Sequence, residues 1–286
     1  MDSGRGKIIL SMIIWGSVGI FARFSKMDGI SLAFVRVFLG SLIFAFIYTL
    51  KSPMWIKNAY LSIKPRIKLV FLLGLSLGLN WILFFSAVLY TDIPKATLIY
   101  YLAPIIVVLL SIVFLKEPIT LKKSALVFTA FLGALIIAGQ EEISFSNRDF
   151  LGVLFALGGA FFYACVTILG RYLRDVESSA LTFFQLLFAT IVLLPVVLGR
   201  GLTFSSSSFY AASVIALVHT VFALLIYMQG LKSVKANEAA LLSYLDPLSA
   251  IVYASLIFGE IPSLMTIIGG GLILLASLLD ILLQRQ

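Results

Sequence analysis

Runs of roughly 20 apolar residues, parted by short polar gaps, recur from one end of the chain to the other. A helix rising 1.5 Å per residue needs about that length to cross the hydrocarbon of a bilayer, and any other lipid-facing backbone would leave amides unpaired. The pattern therefore predicts an all-α membrane protein of ten transmembrane helices, over 7–25, 31–50, 67–90, 94–115, 121–139, 149–171, 178–198, 208–231, 235–258 and 263–283. The first run is as long as the later ones and carries Arg23 and Lys26 where a cleavage site of small residues would fall, so it reads as a retained span.

Composition supports that reading. Hydrophobic residues make up 61% of the 286 residues and charged residues 12%, against about 25% charged in ordinary soluble domains. The net charge of +8 forms no exposed basic stripe of the kind that binds nucleic acid, because the cations sit in the gaps between apolar runs. They sort by side. With the N-terminus in the cytoplasm, the outer connections hold Lys26, Lys95, Arg148 and Arg200, Arg23 and Arg36 fall in or at the edge of spans, and every other Lys and Arg is inside. The positive-inside rule then puts both termini in the cytoplasm of a multi-pass inner-membrane protein. Cys165 lies alone in an apolar run, which rules out an intrachain disulfide and reads as packing.

The two halves repeat. LIYYLAPIIVVLLSIVFLKEP from residue 98 matches LLSYLDPLSAIVYASLIFGEIP from residue 241, an offset of 143. Tyr101 pairs with Tyr244, Pro104 with Pro247 and Glu117 with Glu260. Proline is expensive inside a helix, so its recurrence is informative and marks Pro104 and Pro247 as kink or hinge positions. Residues 1–142 and 143–286 thus form two repeats of five spans each. The odd number sends the second copy into the membrane from the opposite side, giving inverted repeats around a central cavity. Inverted repeats supply two related conformations from one packing scheme, the basis of alternating access in many transporters.

At this point the chain resembles the EamA type of the drug/metabolite transporter superfamily, through IIWGSVGIFARF, LAFVRVFLGSLIF and the paired proline-then-acid segments ending in KEP and GEIP. The resemblance covers essentially the whole chain. It implies a ten-helix exporter of small metabolites such as amino acids; the repeat comes from the residues themselves, the cargo class from the family.

Substrate sites in such folds lie near the midplane, so polar and aromatic residues at mid-span are the candidates. Asp246 is the one carboxylate at that depth; it could bind an amine or couple protons, or pair with Arg36 to hold the bundle together. His219, the sole histidine, offers proton exchange or a structural hydrogen bond. Arg36 could hold a substrate carboxylate, or simply snorkel toward the membrane edge or bind backbone carbonyls. Asn80 and Phe84, four residues apart, share a helical face. Trp15, Tyr163 and the repeat-related Tyr101 and Tyr244 complete the substrate-binding candidates, with Trp81, Phe222 and Tyr227 as further aromatics. Glu117 and Glu260, at span ends, read as structural partners for loop cations.

No phosphate-binding Gly-rich loop, metal-ligand cluster or paired catalytic acids occur in the sequence, so no cofactor, metal or catalytic residue is expected. The expected partners are a small-molecule substrate and membrane lipid, with no nucleic acid; protons are a candidate coupling ion beside transport driven by the substrate's own gradient. The rivals to amino-acid export are a lipid carrier, a nucleotide-sugar carrier, for which Arg36 alone supplies too few cations, and a membrane-embedded enzyme.

Overall fold

The computed structural model describes residues 3–115, 121–139, 146–173, 175–203, 206–233, 242–243 and 245–283. The protein is helical throughout, with no strand among the described residues. In chain order the α-helices are α1 (Ser3–Gly16), α2 (Val18–Ser25), α3 (Gly29–Lys51), α4 (Trp55–Ile63), α5 (Ile67–Tyr90), α6 (Ile93–Tyr100) and α7 (Ala103–Leu115). They continue as α8 (Leu121–Ala138), α9 (Arg148–Tyr172), α10 (Ser178–Arg200), α11 (Ser206–Val214), α12 (Ala223–Ser233), α13 (Leu245–Phe258) and α14 (Leu264–Leu283). A π-helical segment, Ile215–Phe222, joins α11 to α12. Among the described residues, six helical stretches are long and apolar enough to cross a membrane: Gly4–Ser25, Gly29–Lys51, Trp55–Tyr90, Arg148–Gly170, Ser178–Arg200 and Ser208–Gly230. Shorter apolar helices lie over Ile93–Val107, Ser124–Ile137, Leu245–Phe258 and Leu264–Ala276.

Helix starts follow from capping chemistry. Asp28 accepts from the amides of Ile30 and Ser31 at 3.0 Å each, opening α3. Asp92 accepts from Lys95 N at 2.7 Å, opening α6, where Pro94 sits in the first turn and needs no amide. The apolar run over 94–115 is not one helix. It breaks at Tyr101 and Leu102, because Pro104 has no N–H to give the carbonyl of Tyr100 four residues back. Ser17 likewise parts α1 from α2, its hydroxyl donating to Ile14 O at 2.8 Å. The basic gap after α3 hides a short helix, α4, that buries Trp55, Ala59 and Ile63 along one edge. Trp55 packs on Tyr48, with ring centroids 4.7 Å apart, and on Phe183 at 5.4 Å.

Packing partners come in exchanged pairs. Helix α5 lies along α9, and α12 lies along α1; α6 and α7 pack on α9, and α13 packs on α1. Helix α5 meets α10 while the π-segment meets α3, and α3 with α10 and α8 with α14 complete the set. Small residues permit the closest approaches. A Cβ added to Gly133 of α8 would collide with the carbonyl oxygen of Gly269 in α14. One added to Gly16 of α1 would lie 2.9 Å from the carbonyl oxygen of Asp246 in α13.

Candidate functional site

A cavity of about 780 Å³, counted to its open mouth, lies between the helices of the two halves. Helix α5 contributes Leu77, Asn80, Trp81 and Phe84, a spacing of three and four that keeps them on one face. Helix α9 contributes Tyr163, Val166, Thr167 and Gly170 by the same rule. Trp15 and Val18 stand at the break between α1 and α2, Tyr100 at the end of α6, and Leu224, Tyr227 and Met228 on α12. Arg36 of α3 and Asp246 in the first turn of α13 supply the charged groups of the lining.

Arg36 does not reach for the membrane edge. It is 3% exposed, with its guanidinium carbon 3.5 Å from the centroid of the Trp81 ring and 5.4 Å from that of Phe85. Its Nε donates to Thr220 Oγ1 at 2.7 Å and its Nη2 to His219 O at 3.1 Å, which leaves Nη1 without a partner among the described residues. The π-segment makes this grip. Its wider turn lets Thr220 Oγ1 donate to Ile215 O, five residues back, at 2.9 Å, and turns the oxygens of residues 219 and 220 toward α3. The same turn separates His219, 1% exposed, from Phe222, 46% exposed, while Ala223, four residues on, is buried as His219 is.

Asp246 accepts from Tyr101 OH at 2.9 Å, and no cation pairs with it among the described residues. Arg36 and Asp246 are therefore not an ion pair. Asn80 donates from Nδ2 to Tyr100 OH at 2.9 Å and to Gly159 O at 2.8 Å, tying α5 to α6 and α9. Around Tyr100 the rings of Phe84, Tyr163 and Tyr101 lie 4.7, 5.4 and 6.0 Å away. Trp15 donates from Nε1 to His219 O at 2.8 Å and packs on Tyr227 at 5.0 Å.

Of the residues singled out in the sequence, Trp15, Arg36, Asn80, Phe84, Tyr163 and Asp246 line the cavity. Tyr101 reaches it through Asp246. His219 lies behind the wall: its Nε2 is 2.9 Å from Ser17 Oγ and its ring packs on Phe21 at 5.2 Å. Pro104 and Pro247 sit in the first turns of α7 and α13. Tyr244 lies outside the described residues, as does Glu117. Sequence reasoning missed Tyr100, Thr167 and Met228. Tyr163 with Thr167, four apart on one face, was the available signal for the second of these.

The chain belongs to the EamA-like transporter family, whose sequence profile matches it twice, over residues 3–139 and 150–281. It is a multi-pass membrane protein of a transporter family built from two repeats. Among its relatives, the Uncharacterized transporter YxxF of Bacillus subtilis (strain 168) is 26% identical over 269 residues, 92% of this chain and 84% of the relative. An Uncharacterized transporter of Archaeoglobus fulgidus is 28% identical over 278 residues, 96% of this chain and 94% of the relative. The S-adenosylmethionine uptake transporter of Rickettsia felis is 22% identical over 291 residues, 99% and 94% of the two chains. A solved crystal structure superposes with a TM-score of 0.70 over 100% of this chain and 99% of the other at 16% identity, a likeness of fold alone.

Proposed function

We propose that the protein is a secondary transporter that exports small amphipathic metabolites, amino acids first among them, across the inner membrane by alternating access. The observation that carries this reading is the cavity itself, which holds a cation, Arg36, and a carboxyl, Asp246, that are not paired with each other, amid Trp15, Phe84, Tyr100 and Tyr163. Buried ionisable groups without a countercharge are costly to keep in a membrane and default to function. A zwitterion would satisfy both, its carboxylate on the unengaged edge of Arg36 and its amine at Asp246, with the apolar part on the aromatic wall. Tyr101 orients Asp246, and Asn80 braces the wall through Tyr100. Asp246 and His219 are the candidates for proton coupling.

The exchanged packing pairs support the inverted arrangement of two five-helix repeats, 1–142 and 143–286, with ten spans and both termini in the cytoplasm. The largest contacts between helices of different halves have counterparts with the halves interchanged, as a two-fold axis in the membrane plane would require. Pro104 and Pro247, in the first turns of related helices, are the hinge candidates. The Rickettsia felis relative is named for S-adenosylmethionine, which carries an amino-acid zwitterion, and that agrees with the cargo class.

Uptake of radiolabelled amino acids into proteoliposomes, with and without a pH gradient, tests the reading. We expect saturable, gradient-stimulated uptake, reduced roughly tenfold or more in Asp246→Asn, since a charge-assisted hydrogen bond contributes about 1.5–3 kcal/mol. Uptake that Asp246→Asn leaves intact would remove Asp246 from both binding and coupling.

A further inference from the structure

The cavity lining lies toward one end of α9 and α13, and hydrogen-bonded ties between the halves lie toward the other. On α9 the lining residues Tyr163 to Gly170 occupy the C-terminal half, and a Cβ at Gly170 would meet open space. Asp149, at the N-terminal end of α9, instead accepts a hydrogen bond from Thr91 Oγ1. On α13 Asp246 faces the cavity from the first turn, while Glu260 follows the C-terminal end, about 20 Å further along the axis at helical rise. There Glu260 Oε1 accepts from Arg23 Nη1, and Oε2 accepts from Ile93 N at 3.1 Å. Arg23, in the last turn of α2, also donates to Val88 O at 3.2 Å and to Thr91 O at 2.9 Å.

We infer that the Arg23–Glu260 pair is a latch that holds this end of the transport path shut while the cavity is open at the other. The inference rests on the reading of the chain as an alternating-access carrier, and it gives these two residues a positioning role with no contact to cargo. Three observations carry it. The pair joins α2 and α13, elements of different halves that both run into the cavity wall. Each partner uses its remaining polar atoms on the α5–α6 corner, so one bond fastens three elements. Both side chains are only partly buried, at 23% and 21% exposure, so parting them does not strand a charge in the packed core. The Asp28–Arg200 pair nearby also bridges the halves, but α10 contributes nothing to the cavity wall.

The sequence repeats the ingredients. IFARF at 20–24, near the end of α2, resembles ILGRY at 168–172, at the end of α9, at an offset of 148, which aligns Arg171 with Arg23 in the sequence. Glu117, outside the described residues, matches Glu260.

One-sided thiol labelling tests the latch. In a Cys165→Ser background, Val18→Cys puts a thiol on the cavity wall, and an impermeant maleimide is applied to proteoliposomes from one face at a time. The parent should label from the mouth face and resist from the latch face. Arg23→Ala and Glu260→Gln should each raise latch-face labelling and lower mouth-face labelling, changing the ratio by on the order of tenfold. Glu260→Gln keeps an acceptor for Ile93 N–H, which guards against simple misfolding. A rise from both faces alike would mean loosened structure and would overturn the latch, as would no change in either variant. Labelling needs no cargo, so a wrong cargo class would leave this result standing, and a failed latch would leave the uptake result standing.

Discussion

Asp28 concentrates several effects in one side chain. Its carboxylate caps α3, accepts from the hydroxyls of Ser31 and Thr203, and faces Arg200 Nη2 at 3.5 Å. Partial burial pushes its pKa up, but the hydrogen bonds from Ser31 and Thr203 and the charge of Arg200 outweigh it and hold the carboxyl below its ordinary range. A depressed folded pKa contributes stability that is fully present above the unfolded value, about 4, and is lost as pH falls through the folded value. Asp28→Ala should therefore lower thermal stability in detergent at neutral pH by about 1 kcal/mol, the usual size of an N-cap loss. The difference from the parent should shrink below about pH 4; a difference constant from pH 7 to pH 3 would mean that the charge is irrelevant. At this scale the sequence was most legible where a polar group interrupts an apolar run, which is how Arg36, Asn80 and Asp246 stood out. It was least legible among the aromatics. Tyr100 and Tyr101 are neighbours in one run, and which of them faces the cavity depends on a helix break whose exact position Pro104 alone does not specify. Gln185, which aligns with Arg36 when the two halves of the sequence are matched approximately, is fully buried with neither amide atom partnered among the described residues, and nothing in the structure explains it.

Elements were legible wherever length and apolarity decide them. Five of the six long stretches fall within a few residues of the ranges read from hydropathy, and α5, within the sixth, covers 67–90, because a span's length is set by the bilayer rather than by its neighbours. Three features escaped. The π-segment reads as IALVHTVF, which has no proline or glycine to announce a widened turn. The break before Pro104 needed the three-dimensional ladder to be located. Helix α4 was masked by its flanking lysines, although Trp55, Ala59 and Ile63 recur every four residues. Contact between α8 and α14 depends on the facing glycines, where backbone meets backbone without room for a side chain. Gly133→Leu should force these helices apart and lower the melting temperature in detergent, with a cost of about 1–3 kcal/mol typical of overpacking. Gly271→Leu, at a position whose Cβ would meet open space, is the control and should leave it unchanged.

For the whole molecule, the repeat in sequence and the exchange of packing partners in space describe one arrangement. Helices of each half contribute to the cavity, and Arg23 with Glu260 ties α2 to the far end of α13 from Asp246. A carrier built this way must return its cavity to the first side after each delivery, and a loaded return is faster than an empty one whenever the empty step limits the cycle. Trans-stimulation reads this directly: proteoliposomes are preloaded with a radiolabelled amino acid that the protein accepts, and its efflux is timed with and without the unlabelled compound outside. The account predicts that external substrate accelerates efflux. Efflux that ignores or is slowed by external substrate at every concentration would contradict a single cavity alternately exposed to the two sides.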